Sequence, residues 1–190
     1  MIIGLTGSYC SGKDTVADYI SQRHGYKHFS LSDVIREMMK EAGLDSTREN
    51  LITFGTKLRE EKGNGVLVKK VLEKAKDAGE YCITSIRHSE EVNELRKRKD
   101  FVLINIDAPQ DVRFERMKKR KKHGDPQTWE KFIELEKKES QTSGSGQQLR
   151  KTANMADVTF INDSNDMEIL KAAMDNLVED LKNERRSLMS

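Results

Sequence analysis

Short apolar runs of strand length alternate along the chain with longer stretches of helical spacing. The strand-like runs are residues 2–6, 26–29, 81–86, 101–107 and 158–161. Between them, apolar side chains recur every three or four residues, the spacing of a helix that packs one face on a core. Parallel strands need such crossover helices, so the pattern predicts an α/β fold with a five-stranded parallel sheet.

The run at residues 101–106 reads Phe-Val-Leu-Ile-Asn-Ile and is nearly continuous in apolar side chains. A strand covered by helices on both faces has this composition, so we expect a central strand here. Open α/β sheets bind their ligands at the carboxyl ends of the strands. Candidate functional residues should therefore follow the strand-like runs directly.

The first strand-like run leads into a glycine-rich loop. Residues 7–15 read Gly-Ser-Tyr-Cys-Ser-Gly-Lys-Asp-Thr, which fits the spacing G-x-x-x-x-G-K. The glycines allow a sharp turn, the backbone N–H groups can surround a β-phosphate, and Lys13 adds a compact positive charge. The loop therefore predicts a nucleoside triphosphate site. The residues expected to contact the nucleotide in this loop are Gly7, Ser8, Ser11, Gly12, Lys13, Asp14 and Thr15.

Composition limits the classes of partner. The 190 residues fit one domain, and 34 basic against 32 acidic side chains leave a formal charge of +2 that selects no partner. An apolar stretch of about 18 residues and a basic leader are both missing, which predicts a cytoplasmic protein without a membrane partner. Cys10 and Cys82 are too few for a disulfide scaffold and have no zinc-ligand spacing.

Basic clusters at residues 96–99 and 116–122 are surrounded by acidic side chains and lack interleaved aromatic residues. Binding of single-stranded nucleic acid generally uses such an aromatic platform, so we expect no nucleic-acid partner. The expected partner is a small-molecule phosphate acceptor, and the expected state is a monomer or homodimer.

Two polar segments lie just after predicted strand ends. Residues 44–65 are charged and helix-like, and residues 117–152 contain Gly-Asp-Pro at 124–126 and Ser-Gly-Ser-Gly at 143–146. Long polar segments beside a ligand site are typically binding loops or lids, although a solvated excursion is the alternative. We interpret 31–65 as an acceptor-binding segment and 117–152 as a lid within a single domain, 1–190.

Phosphoryl transfer needs positive charge on the donor phosphates, on the acceptor and on the group in transit. Arginines that follow strand-like runs are the candidates, and they are Arg36, Arg87, Arg116 and Arg120. Ser32 and Arg36 are four residues apart, and so are Arg116 and Arg120, so each pair shares a helix face. We expect Arg116 and Arg120 to point the same way.

On these residues the chain resembles adenylate kinase and the related nucleoside monophosphate kinases. In those enzymes a Ser/Thr turn and an Arg one helical turn later hold the acceptor, as Ser32 and Arg36 would. In the same kinases, a later strand ends in a motif that starts with Asp and closes with Arg. Arg87 matches that Arg, whereas Thr84 takes the position of the Asp.

The resemblance includes residues 156–162, late in the chain. They begin with Ala-Asp and end with Asn, like the last strand of these kinases and of dephospho-CoA kinase. It implies a P-loop kinase three-layer sandwich that uses ATP and Mg²⁺. Arg36 and Arg87 would bind the acceptor, Arg116 and Arg120 would contact ATP from the lid, and Asn162 would lie near the adenine. The order of parts also resembles archaeal adenylate-kinase-related P-loop proteins, sometimes labelled dephospho-CoA kinase-like.

One position departs from the usual loop. Most phosphate-binding loops have Ser or Thr after the Lys, whereas this chain has Asp14 followed by Thr15. This Gly-Lys-Asp-Thr order is similar to that of some deoxynucleotide monophosphate kinases. Mg²⁺ favours carboxylate oxygens and keeps several waters, so we expect Asp14 to bind the metal directly or through water.

The leading hypothesis is an ATP-dependent phosphotransferase that acts on a nucleoside or deoxynucleoside monophosphate. A dephospho-CoA kinase is the first alternative, and it would need Asp33 as a base because its acceptor is a hydroxyl. An ATP-binding regulatory protein with weak ATPase activity is the second, because Thr84 replaces an acidic residue.

Overall fold

The computed structural model describes residues 1–75, 79–121, 124–140 and 144–189. Its centre is a five-stranded parallel sheet in the order β2-β3-β1-β4-β5. This confirms the predicted α/β class and parallel sheet. The strands are β1 Ile2–Thr6, β2 Lys27–Ser30, β3 Tyr81–Thr84, β4 Phe101–Asp107 and β5 Val158–Ile161.

Helices connect the strands and cover the sheet. Within the described residues they are α1 Lys13–His24, α2 Leu31–Glu41, α3 Arg48–Lys62, α4 Val66–Lys74, α5 Ser89–Leu95, α6 Gln110–Arg120, α7 Trp129–Glu139, α8 Leu149–Ala153 and α9 Met167–Met189. In this part of the chain, none of the helices is long and apolar enough to cross a membrane.

The core lies on both faces of the sheet. All five residues of β1 are buried, and successive side chains of a strand point to opposite faces. Ile2 accordingly packs with residues of α2, α4 and α5 in one apolar cluster, whereas Ile3 packs with residues of α1 and α9 in another. The fold is therefore a three-layer sandwich with its sheet in the middle.

The predicted bounds of two strands were wrong. The second strand occupies Lys27–Ser30 and not 26–29, and the third ends at Thr84 and not at residue 86. Ser30 pairs with Thr84 at the end of this ladder. The next residue, Ser85, has a left-handed backbone with φ 63°, which turns the chain out of the strand. Apolar composition continues through Ile86, and it misled the prediction.

Candidate active site

The glycine-rich loop forms a tight turn between β1 and α1. Gly7 and Gly12 have φ values of +149° and +95°. A Cβ on Gly7 would lie 2.1 Å from the carbonyl oxygen of Ile106, and one on Gly12 would lie 2.4 Å from Nδ2 of Asn162. Close approach of other chain segments thus explains why both positions are glycine.

Lys13 is the first residue of α1, and its side chain is buried. Its Nζ lies 3.3 Å from Oδ1 of Asp14. Burial lowers the pKa of Lys13, Asp14 offsets part of this effect, and Arg87 lowers the pKa further. A bound anion would stabilise the charged form of this lysine, so the site favours an anionic ligand.

Asp14 projects toward solvent, with 68% of its side chain exposed. Burial of part of the carboxylate raises the pKa of Asp14, but Lys13 and Arg87 outweigh burial, and the pKa lies below its ordinary value. The carboxylate is therefore ionised at neutral pH and able to meet a metal ion.

The loop residues fit a phosphate group. Ser11 is fully buried, and its hydroxyl has no hydrogen-bond partner among the described residues. Its carbonyl oxygen accepts from Nδ2 of Asn162 at 2.8 Å. A metal would depend largely on phosphate oxygens and water, because the described chain contains no group of three or more His, Cys, Asp or Glu ligands. Asp14 is the side chain placed to assist.

A cleft of about 600 Å³ runs from this loop along the carboxyl edge of the sheet. In the part of the chain that the structure describes, the cleft is lined by three Asp side chains, Asp14, Asp33 and Asp166, and by seven Lys and Arg side chains. Positive charge exceeds negative charge in the cleft, which suits a highly anionic ligand. The Lys and Arg side chains that line it within the described residues are Lys13, Arg36, Arg48, Arg59, Arg87, Arg116 and Arg120.

Arg36 of α2 also lines the cleft. Its Nη1 donates to Oγ of Ser32 and to Oδ1 of Asp33, both at 2.8 Å. The first contact follows from the i, i+4 spacing. About a third of the side chain, 37%, is exposed, so the guanidinium retains access to the cleft.

Three serine hydroxyls form a triangle beside Arg36. Ser30 Oγ lies 2.9 Å from Ser32 Oγ and 3.2 Å from Ser85 Oγ, and the Ser32 and Ser85 oxygens are 3.3 Å apart. The strained backbone of Ser85 completes this triangle. Thr84 is buried, and its Oγ1 lies 2.9 Å from Nε2 of His28.

Arg87 is buried at the end of the turn after β3, with 9% of its surface exposed. Its Nη1 donates to Oε1 of Gln147 at 2.8 Å and lies 3.3 Å from Oε1 of Glu139. Burial lowers the pKa of Arg87, and Glu139 offsets part of the effect. Arg36 and Arg87 therefore both face the cleft that Lys13 lines, and their roles in acceptor binding stay predictions.

Sequence reasoning missed two residues of this region. Arg48 begins α3, and Glu139 ends α7, so neither follows a strand directly. Nη2 of Arg48 nevertheless donates to Oε1 of Glu139, which is fully buried. Glu139 ends the charged run Glu-Lys-Lys-Glu at 136–139, which is typical of a solvated helix, and the sequence gives no signal of its burial.

Arg116 and Arg120 both line the cleft, and both donate to the phosphate-binding loop. Arg116 Nη2 donates to the carbonyl oxygen of Ser164 at 2.7 Å. Arg120 Nε and Nη2 both donate to the Asp125 carboxylate at 2.9 Å. Each guanidinium thus has a further partner on a different segment, and the expectation that the two point the same way stays a prediction.

The segment predicted as a lid packs on the phosphate-binding loop. Tyr9 of the loop lies in an apolar cluster with Met117 of α6 and Phe132 of α7. The Tyr9 hydroxyl also donates to Asp125, and the guanidinium of Arg48 lies 3.9 Å from its ring centre. The loop and this segment are therefore in direct contact. Residues 122–123 and 141–143 of the predicted lid lie outside the described residues.

Solved structures share this arrangement of sheet, loop and helices. A shikimate kinase of Bacteroides thetaiotaomicron matches with a TM-score of 0.62 at 15% identity, over 96% of this chain and 98% of that one. A gluconokinase of Sinorhizobium meliloti matches with a TM-score of 0.60 at 15% identity, over 97% and 95%. These likenesses define the class: the chain has the fold of the P-loop kinases.

Sequence comparison then gives the family. A family model described as an AAA domain matches residues 3–144. A UPF0200 protein of Methanocaldococcus jannaschii is 33% identical over 187 residues, which cover 96% of this chain and 91% of that protein. A UPF0200 protein of Thermococcus kodakarensis is 31% identical, over 95% and 98%. The chain belongs to the UPF0200 family.

Proposed function

We propose that the protein is an ATP-dependent phosphotransferase whose acceptor is a small phosphate-bearing molecule, with nucleoside and deoxynucleoside monophosphates as the leading class. One observation carries this proposal: a single cleft is lined by Lys13 of the phosphate-binding loop and also by Arg36 and Arg87. Its volume of about 600 Å³ is of the size that small-molecule sites have.

In this proposal the loop N–H groups and Lys13 hold the donor phosphates, while Arg116 of α6 and Asn162, which follows β5, support the nucleotide. Asp14 positions Mg²⁺, which when bound would neutralise phosphate charge. Arg36 and Arg87 hold the acceptor. The attacking phosphate oxygen is already anionic, so positioning and charge neutralisation suffice without a general base.

The contact of α7 with Tyr9 supports a role in excluding water. A segment that covers the phosphate-binding loop would limit transfer of the phosphoryl group to water. The cytoplasmic location, the monomeric or homodimeric state and the lack of nucleic-acid and membrane partners stay predictions from the sequence.

A second candidate is transfer to a hydroxyl, as in dephospho-CoA kinase. Asp33 lines the cleft beside Arg36, and 63% of its side chain is exposed. A carboxylate in this position could accept the proton of a hydroxyl acceptor. Asp33→Asn would then abolish turnover, whereas it would leave transfer to a phosphate acceptor largely intact.

The test is a coupled assay of ADP release with Mg²⁺ and ATP against a panel of nucleoside monophosphates, deoxynucleoside monophosphates and dephospho-CoA. We expect release of ADP to depend on one acceptor class. It should fall by about 100-fold or more in Lys13→Met, because the positive charge that stabilises the transferring phosphoryl group is removed. Lys171→Met is the matched control, since Lys171 pairs with Glu168 on the surface of α9.

Turnover of dephospho-CoA without monophosphate activity would favour the second candidate. ATP binding with equally slow hydrolysis across the whole panel would contradict both candidates and favour an ATP-binding regulatory protein. An unchanged rate in Lys13→Met would contradict the placement of the donor.

A further inference from the structure

Glu139 occupies an unusual place for the last residue of a charged helix. It is fully buried, whereas Glu134 and Lys138 on the same helix are 67% and 56% exposed. Its Oε1 accepts from Nη2 of Arg48 and lies 3.3 Å from Nη1 of Arg87. The carboxylate thus sits between two arginines that line the cleft.

The Glu139 carboxylate leaves hydrogen-bonding atoms unpaired at this position. Oε2 of Glu139 and Nε of Arg48 are both buried, and neither has a hydrogen-bond partner within the described ranges. Arginine binds carboxylates and phosphates best through two parallel N–H bonds. An anion with more oxygens could use Nε and Nη2 of Arg48 together, which the Glu139 carboxylate does not do.

The charges around Glu139 also favour a more highly charged anion at this position. Burial raises the pKa of Glu139, but Arg48 and Arg87 outweigh burial and hold the pKa below its ordinary value. Lys13 acts in the same direction. Lys13 also pairs with Asp14, so these three cations face two carboxylates, which leaves an excess of positive charge. A phosphomonoester carries about two negative charges at neutral pH and matches that excess better.

We propose that Arg48 and Arg87 form the binding site for the phosphate of the acceptor, and that Glu139 occupies this site until a phosphomonoester displaces it. This inference rests on the proposed function, because it assigns the acceptor subsite of the same cleft. Glu139 acts as a competing anion that is part of the chain. Its position at the end of α7 links displacement of the carboxylate to movement of that helix.

The test is calorimetric titration of the full chain with inorganic phosphate, with the phosphate-binding loop first saturated with ADP and Mg²⁺. We expect Glu139→Gln to tighten phosphate binding by about tenfold or more, because the competing charge is removed while the shape is kept. Glu134→Gln is the matched control: it makes the same change on the exposed face of α7 and should alter binding less than about twofold.

A second variant keeps the test decisive if Glu139→Gln does not fold. Arg48→Gln should weaken phosphate binding by about tenfold or more, in the otherwise native chain and in combination with Glu139→Gln. Unchanged or weaker phosphate binding in folded Glu139→Gln, or unchanged binding in Arg48→Gln, would overturn the inference.

Failure of the proposed function has a different outcome. If the protein binds no ADP, the nucleotide site is wrong, but the phosphate titration can be repeated without nucleotide and the effect of Arg48→Gln still decides the second site. If ADP binds and no variant shows a second phosphate, the inference fails while the nucleotide site stands. Loss of turnover in Glu139→Gln without tighter phosphate binding would contradict displacement and indicate a direct catalytic role.

Discussion

Two buried Arg–Glu clusters lie side by side at the carboxyl edge of the sheet, and their hydrogen bonding differs. In the first, Glu91 Oε1 accepts from Nε and Nη2 of Arg59 at 3.1 and 2.8 Å. Its Oε2 accepts from the backbone N–H groups of Arg87 and His88 at 2.8 and 3.0 Å. Each oxygen of Glu91 therefore has two donors.

The second cluster, Glu139 with Arg48 and Arg87, uses only one carboxylate oxygen among the described residues. A fully satisfied buried network tends to specify one structure, whereas a partly satisfied one loses less when it is replaced. Glu91 therefore holds the turn that carries Arg87, and Glu139 holds a place that a ligand could take.

The largest effect is expected from Glu91→Gln, which is compared with the same substitution at Glu139. Glu91→Gln places an amide N–H₂ against N–H donors and leaves Arg59, which is 3% exposed, without a counter-charge. We expect a loss of about 3–5 kcal/mol in the free energy of unfolding, or about 10 °C in Tm.

Glu139→Gln should cost less, about 1–3 kcal/mol, because Arg48 is 21% exposed and can reach water, while Arg87 keeps its hydrogen bond to Gln147. Denaturant unfolding of both variants beside the native chain measures the difference. Equal losses would break the comparison, because both carboxylates would then be structural.

A third carboxylate, Asp14, should respond to metal and not to packing. It lies at the mouth of the cleft with 68% of its side chain exposed, beside Lys13. We expect Asp14→Ser to reduce the enhancement of ATP affinity by Mg²⁺ about tenfold, with unfolding stability almost unchanged. The measurement is a nucleotide titration with and without Mg²⁺. An unchanged Mg²⁺ dependence would contradict the assignment of Asp14 to the metal.

The smallest effect concerns Cys10, which packs beside the cluster of Tyr9, Met117 and Phe132. If Glu139 helps to hold α7 on the loop, Glu139→Gln should expose Cys10 and increase its alkylation by iodoacetamide about threefold. Glu91→Gln, assayed well below its unfolding temperature, should not. Mass spectrometry separates Cys10 from the fully buried Cys82.

The pH dependence of this reaction provides an internal check. Burial raises the pKa of the Cys10 thiol above its ordinary value. The thiolate is the reactive form, so the alkylation rate should rise about tenfold per pH unit below that pKa and keep rising above pH 9. A plateau below pH 8 would mean that the thiol is not covered as the structure has it.

The local sequence pattern predicted those features of the fold that depend on neighbouring residues. The bounds of β1 and β4 and the spacing of the phosphate-binding loop follow from apolar composition and from glycines that no other residue can replace. The end of β3 did not, because Ser85 adopts a left-handed backbone within an otherwise strand-like run.

Contacts between distant segments could not be predicted in the same way. Arg48 and Glu139 are 91 residues apart, and each lies in a charged helix that an isolated sequence window assigns to solvent. Likewise, i, i+4 spacing put Arg116 and Arg120 on one helix face, but it did not indicate their partners Ser164 and Asp125 on other segments. Tertiary partners decide where a long cationic side chain ends.

The most direct test of the central claim is a crystal structure of the native protein with ADP, Mg²⁺ and inorganic phosphate. We predict the β-phosphate of ADP in the loop beside Lys13, a separate phosphate bound by Arg48 and Arg87, and the Glu139 carboxylate moved away from both arginines. A structure that contains ADP while Glu139 still contacts Arg48 and Arg87, with no second anion between them, would contradict the claim.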